Sequence, residues 1–595
     1  MGFTKYSSTI TIAIIAIILR STWNNGLIVE YLDEFIDYLQ QGIIQTHLHA
    51  HIYLNNNYAP VDVEHSIPEP AILVKGSLPA DLDGVFIRNG PNPIPAFQRK
   101  FYHWFDGHGH LHNLRIKDGS ALYSNAYVPT PRYTIEKHQK GKQYFNGIGE
   151  LKGIPGLLKA ILIGPQKALS NNLTAFTTGQ ANTHTIMTTN SKFYACHEAS
   201  LPFELQLDRN GSIVQGLGYE TFDHVLDYPV SAHPKNDVHT GELLFHSYTL
   251  DPALVEKYGS LKVGVYNVEE NEVDPYIGIR TTTTTTTTSS SSSSSSDKDN
   301  HVSFAHDFIF TENYIILYDS SAHFDTMQIM NMTNGSEGGG DFITWNHDHK
   351  MKIGLLPRRK KAKKKDGNME EVTTSNEVIW FELEKPYMMI HPLNAWEDKN
   401  GNVILWTPIS ESFRFQLDDG SNQFHMTEFI LNVRHGTIER NDIDESQNVE
   451  FSRVQDDKVG RFTRFGIASI LDPTLGGDGI SKGYAVYDME MRKLHMSVLY
   501  EEGDIGGEAI MIPKDDEVDS TVDDVGDVIE SSSSFYVGTY VYNSIDKGSY
   551  FVLYSDGEII ARLKLPYRVP FGFHALWVTG DQLEKHVELH EKAKI

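Results

Sequence analysis

Short β-prone runs cut by tight-turn dipeptides, repeated along most of the chain, constrain the fold more than any other feature of this sequence. Asn210-Gly211 precedes Ser212-Ile213-Val214, Asn400-Gly401 precedes Asn402 to Leu405, and Asp556-Gly557 separates Tyr550–Tyr554 from Glu558–Leu563. Asn-Gly and Asp-Gly supply the positive φ of a tight hairpin turn. Hairpins in such number predict an all-β sandwich, barrel or propeller. With 595 residues, 40% of them hydrophobic, the chain can bury a large core. Its length would suit about three or four domains, but one β-rich unit often runs this long.

The β rhythm begins near Ile67. Residues 1–65 read as a leader with helical character over Leu27 to Gln41. Lys5 precedes an apolar run, Ile10 to Leu19, closed by Arg20. This run is short of the roughly 20 residues that span a bilayer. It reads as the core of a signal peptide, a shallow anchor or a frayed apolar tail. Residues 66–584 form the expected catalytic domain and 585–595 a tail.

Three tracts interrupt the domain, near 281–300, 358–366 and 515–534. The first holds eight Thr followed by eight Ser, the second is RRKKAKKK, and the third is acidic and Ser-rich. The first cannot bury apolar surface and should be disordered, the second reads as a solvated loop or as a localisation or anionic-lipid patch, and the third reads as another surface loop. The stretch Leu151 to Ile163 is apolar with scattered lysines. It suits an interfacial helix on a membrane or a buried helix in a cap.

The formal charge of −27 argues against nucleic acid as a partner, because phosphate repels such a field. Cys196 is the single cysteine, so intrachain disulfides and Cys-based zinc sites are excluded. Any metal must be held by His or carboxylate, and position must choose among 27 histidines.

Three histidines share a context. His233, His306 and His391 each stand just ahead of a hairpin, 73 and 85 residues apart. A propeller blade with its loops spans about 40–70 residues, so each His could begin the innermost strand of a different blade. His574 precedes a last strand that could close such a ring. Radial placement would bring four imidazoles to one point. Imidazole suits Zn, Cu, Fe and Ni alike, so the pattern leaves the metal unnamed.

Around these residues the sequence resembles the carotenoid cleavage dioxygenase family, over roughly Ile67 to Glu584 outside the insertions. The motifs are Gly84-Val-Phe-Ile-Arg-Asn-Gly-Pro-Asn-Pro93, Tyr102-His-Trp-Phe-Asp-Gly107, Ala181-Asn-Thr183, Ala232-His-Pro-Lys235, His306-Asp-Phe308, His391 with Asn394-Ala-Trp-Glu397, and Pro570-Phe-Gly-Phe-His574. Arg115-Ile-Lys-Asp-Gly119 and Leu565-Pro-Tyr-Arg-Val-Pro570 are similar to the plant branch that cleaves at the 9,10 and 9′,10′ bonds.

The resemblance implies a seven-bladed β-propeller with a helical cap over an axial Fe(II). It implies His233, His306, His391 and His574 as ligands, with Glu198, Glu450 and Glu508 holding the rings from behind. Outer carboxylates would fix each tautomer and offset the ion's charge. The implied reaction takes a carotenoid or apocarotenoid and O2 and leaves two carbonyl products. No catalytic residue beyond the ligands is implied. A membrane surface is the implied source of substrate, at the endoplasmic reticulum or plastid, with the cytoplasm as the alternative. Stilbene-type cleavage and an inactive carotenoid-binding propeller are the competing functions. The family usually has Asp where this chain has His108, giving His108, His110 and His112 in alternation. These read as structural rather than as a surface metal site. His586 and His590 read as a solvated helix end.

Overall fold

The structure is a computed structural model. It describes residues 52–94, 102–138, 177–198, 200–222, 229–249, 259–268, 302–324, 343–358, 378–415, 422–475, 479–514 and 534–592, with shorter pieces before and between them. The run Ile10 to Leu19, most of Leu151 to Ile163, and all but the end residues of the three interrupting tracts lie outside the described residues.

Turn chemistry does what the sequence asks of it. Ser549–Ser555 and Glu558–Lys564 pair antiparallel across Asp556-Gly557, whose φ values are +49° and +81°. Phe203–Leu207 pairs with Ile213–Tyr219 across a turn in which Gly211 has φ +74°. Asn394–Glu397 pairs with Asn402–Ile409 across Gly401, at φ +78°. An L-residue with a side chain rarely adopts these angles, which places glycine there.

The all-β expectation holds: every strand pairing between described elements is antiparallel. The strands fall into seven hydrogen-bonded sheets, one of ten strands, one of three and the rest of four or five. These sheets do not correspond one to one with seven separate blades. In the sheet that begins with Asn394–Glu397, burial falls toward the last strand. There Asn402–Ile409 is buried at seven of eight positions, whereas Thr437–Asp444 is buried only at its end. In that sheet Asn394–Glu397 and Asn402–Ile409 therefore lie inward and Thr437–Asp444 faces solvent.

Neighbouring sheets adhere through aliphatic faces. Leu317, Ile353 and Leu355 of one pack in a single cluster with Val403, Leu405 and Phe429 of the next, all essentially inaccessible. Each such side chain contributes about 1.5–3 kcal/mol on burial. Gly84–Asn92 pairs on one side with His108–Lys117 and on the other with Ala575–Thr579, so widely separated segments share one sheet. His108–Lys117 in turn runs hard against the Gln180–Ala181 backbone. A Cβ on Gly109 would stand 2.1 Å from the Ala181 carbonyl oxygen.

His108, His110 and His112 are buried, not a surface cluster. Their partners are Glu136 at 2.7 Å, Asn125 at 3.1 Å and the Tyr123 hydroxyl at 2.6 Å. The structural reading of them holds. The reading of His586 does not. Helix Gly580–Lys592 lays Leu583, His586 and Val587 inward. His586 Nε2 accepts the Leu207 N–H at 2.9 Å, and Nδ1–H donates to the Ser191 carbonyl at 2.7 Å. An amphipathic stripe at i, i+3, i+4 brings the imidazole inside.

Candidate metal centre

The inner strands deliver the histidines. His233 stands two residues ahead of Lys235–Asp237, His306 three ahead of Ile309–Phe310, and His391 three ahead of Asn394–Glu397, each the first strand of a different sheet. His574 directly precedes Ala575–Thr579. The four rings meet. Their candidate ligand atoms all lie within 4.8 Å of one another. Ring centroids are 4.6 Å apart for His233–His306 and for His233–His574, 4.8 Å for His391–His574, and 5.1 Å for His306–His391.

The His233 and His306 Nε2 atoms are 3.0 Å apart. With metal–nitrogen bonds near 2.1 Å, two ligands at right angles are about 3.0 Å apart. His391 Nε2 is buried and has no hydrogen-bond partner in the described structure. A buried nitrogen left in that state costs stability unless an ion or proton occupies its lone pair. The donor set fits a borderline divalent transition metal.

Three glutamates stand behind three of the rings. Glu450 Oε2 accepts from His391 Nδ1 at 2.5 Å, and its other oxygen accepts the His391 backbone N–H at 3.1 Å. Glu508 Oε1 lies 3.3 Å from His574 Nδ1, and Glu198 Oε2 lies 3.4 Å from His306 Nδ1. These contacts turn each ring so that Nε2 faces the common centre. Glu198 comes from a half-buried loop, Glu508 from a buried one and Glu450 from strand Val449–Arg453.

Electrostatics follow from this pairing. Burial and the neighbouring imidazoles His306, His574 and His391 hold His233 well below the usual histidine range. Burial pushes His574 down to about 4, against the pull of Glu508. Burial also acts to lower His391, but the Glu450 carboxylate outweighs it and holds that ring above its ordinary value. Burial acts to raise Glu508, but its contacts with His574 and Arg453 leave it lowered.

Other residues at the centre escaped the sequence reading. Asp307 is the nearest acid to His233, with Oδ2 4.0 Å from Nδ1, and it is tied to Lys235 Nζ at 2.8 Å. Its position beside His306 was a usable signal. His184 is a fifth imidazole, its centroid 5.4 Å from both His233 and His574. Phe451 stacks on His391 at 5.2 Å and 21°, with its backbone at φ +52°. That left-handed conformation is costly for a bulky residue and is held by its surroundings.

Two cavities reach the centre. One, of about 490 Å³, touches His306, His391 and His574 and is walled by aromatic rings that include Phe105, Tyr248, Phe304, Phe324, Phe415 and Phe573. The other, of about 170 Å³, touches His233, His391 and His574 and carries Lys235, Asp307 and Arg453. An apolar chamber and a charged one thus meet at the imidazoles.

Known proteins resemble this chain in sequence and in fold. The sequence profile of the family described as "Retinal pigment epithelial membrane protein" matches residues 58–579. The Pisum sativum carotenoid 9,10(9′,10′)-cleavage dioxygenase 1 is 29% identical over 602 residues, covering 95% of this chain and 98% of that one. The Arabidopsis thaliana probable carotenoid cleavage dioxygenase 4, chloroplastic, is 28% identical, covering 89% of this chain and 81% of that one. Among solved structures, the Pseudomonas brassicacearum lignostilbene dioxygenase superposes with a TM-score of 0.66 at 18% identity, over 89% of this chain and 98% of that one. A variant of the Synechocystis apocarotenoid oxygenase gives 0.63 at 18%, over 89% and 99%. With the family profile spanning most of its length, the chain belongs to the retinal pigment epithelial membrane protein family, that of the carotenoid oxygenases.

Proposed function

We propose that the chain is an Fe(II)-dependent dioxygenase that cleaves a conjugated double bond of a carotenoid or apocarotenoid. The observation that carries this reading is the meeting of four imidazoles at the end of an aromatic chamber. His233, His306, His391 and His574 would hold the ion, and Glu198, Glu450 and Glu508 would hold the rings. Fe(II), when bound, would supply the redox chemistry by which dioxygen reacts with a closed-shell polyene. The alkene and O2 are consumed together, and the two oxygen atoms end in two carbonyl groups.

The chain's own side chains do the rest. Glu450 keeps the His391 proton on Nδ1, which leaves Nε2 as a lone-pair donor. The ring walls of the 490 Å³ chamber exclude water and offer apolar contact to a rigid polyene. Their shape would select which bond lies over the ion.

The fold assigned with this function is a seven-bladed propeller under a helical cap. The ten-stranded sheet supports it, because its halves join only through the single pair Ser481–Gly506. Divided there, it gives two units that join five sheets of four or five strands, and the three-stranded sheet stands apart. The sheet shared by His65–Pro70 and Ala575–Thr579 supports one catalytic unit over about 66–584.

The test is anaerobic loading of the purified chain with Fe(II), followed by ¹⁸O2 and a panel of carotenoids, apocarotenoids and stilbenes. Label in both carbonyl products of a polyene supports the reading. Cleavage confined to stilbenes, or polyene binding without products, would replace it. Fusing residues 1–65 to a fluorescent reporter tests the proposed membrane or plastid address, and diffuse cytosolic signal would remove it.

A further inference from the structure

We propose that Asp319, His323 and His349 form a second metal site, one that takes a zinc-class divalent ion and shares no residue with the four-histidine centre. Strand Tyr314–Asp319 ends on Asp319, and Ala322–Phe324 is the middle strand of the three-stranded sheet, between Val302–Ser303 and Ile343–Trp345. Side chains alternate along a strand. Phe324 faces the aromatic chamber, its ring 5.6 Å from Phe304, so His323 points to the opposite face. His349 follows in the loop after Trp345, and its carbonyl accepts the Ser321 hydroxyl at 2.6 Å.

The three side chains converge there. The His323 and His349 rings are 4.4 Å apart at 73°, and one ligand atom from each of the three residues lies within 4.8 Å of the others. Asp319 and His323 are buried, while His349 keeps 19% of its side chain exposed. An ion would therefore have a route in from solvent and a water could complete its shell.

The decisive detail is the pair Asp319 Oδ2 and His349 Nε2. They stand 3.2 Å apart, yet both are buried and neither makes a hydrogen bond in the described structure. Two atoms at that distance without donor–acceptor alignment are poorly explained as an ion pair. Ligands on one tetrahedral ion with bonds near 2.0–2.2 Å stand about 3.3–3.6 Å apart. Two imidazoles and one carboxylate with an open fourth position suit zinc. The bound ion would tie the end of one sheet to the strand and loop that carry Phe324 and Ile343 into the chamber wall.

The experiment is equilibrium dialysis of the full, metal-stripped chain against zinc alone, read by elemental analysis. The intact chain should retain two equivalents. The double variant His391→Ala/His574→Ala should retain one, and adding His349→Ala should remove it. His349→Gln, a milder change at a partly exposed position, should lose the same equivalent while circular dichroism stays unchanged. A zinc count that is the same for the intact chain and for folded His349→Gln, whether one equivalent or two, would overturn the assignment. The equivalent lost on His349→Gln is read without iron content or oxygenase turnover, so failure here is distinguishable from failure of the dioxygenase reading.

Discussion

Glu450→Gln separates a charged orienting group from a merely polar one. Glu450 is 3% exposed and touches His391 twice, at Nδ1 and at the backbone N–H. Glutamine keeps the shape and one acceptor but removes the charge. A hydrogen bond to a charged group contributes about 1.5–3 kcal/mol and a neutral one about 0.5–1.5 kcal/mol, a difference of about 1–2 kcal/mol. At about 1.4 kcal/mol per factor of ten, the ion should bind roughly 5- to 30-fold more weakly. That agrees with the 10- to 100-fold commonly lost when a ligand's outer partner is removed. Glu198 stands 3.4 Å from its histidine, so Glu198→Gln should cost less, below about fivefold. Anaerobic competition for Fe(II) against a chromophoric chelator measures both. The reasoning fails if folded Glu450→Gln binds iron as tightly as the parent, or if Glu198→Gln is the more damaging change.

Two further outcomes follow from buried contacts. Burial pushes His586 down to about 4, from an ordinary value near 6.5, so acid protonates it first in the unfolded chain. Its contribution is present above pH 6.5 and is lost as pH falls toward 4, up to about 3 kcal/mol. His586→Gln cannot titrate, so its urea midpoint should fall less between pH 7 and 4.5, and parallel curves would refute the assignment. Gly109→Ala would force a methyl group to within 2.1 Å of the Ala181 oxygen. It should cost about 2 kcal/mol or more, and an unchanged urea midpoint would show that the backbone there yields.

Legibility in the sequence tracked chemistry that repeats. The β class was readable because turn glycines such as Gly401 and Gly557 are dictated by φ. The four histidines were readable because each sits at one topological place, just ahead of an inward strand. Glu198, Glu450 and Glu508 were carried by resemblance, since no spacing links a carboxylate to a ring 59 or 66 residues away. Asp319, His323 and His349 escaped for a related reason. They come together only through a sheet that pairs Ala322–Phe324 with Ile343–Trp345, and nothing local announces that pairing. His586 was legible in principle, because Leu583, His586 and Val587 mark one buried helix face.

The pairing of Ala575–Thr579 with Gly84–Arg88 has a temporal consequence. Contacts between such distant stretches form late, because a very long loop must first be closed. His574 precedes that strand, and the Ala575 N–H is held by Glu508. A folding intermediate with the strand undocked would present three imidazoles rather than four. Tight iron capture would then report that the chain has finished its topology, and a metal supplied too early would find only a weak, incomplete perch.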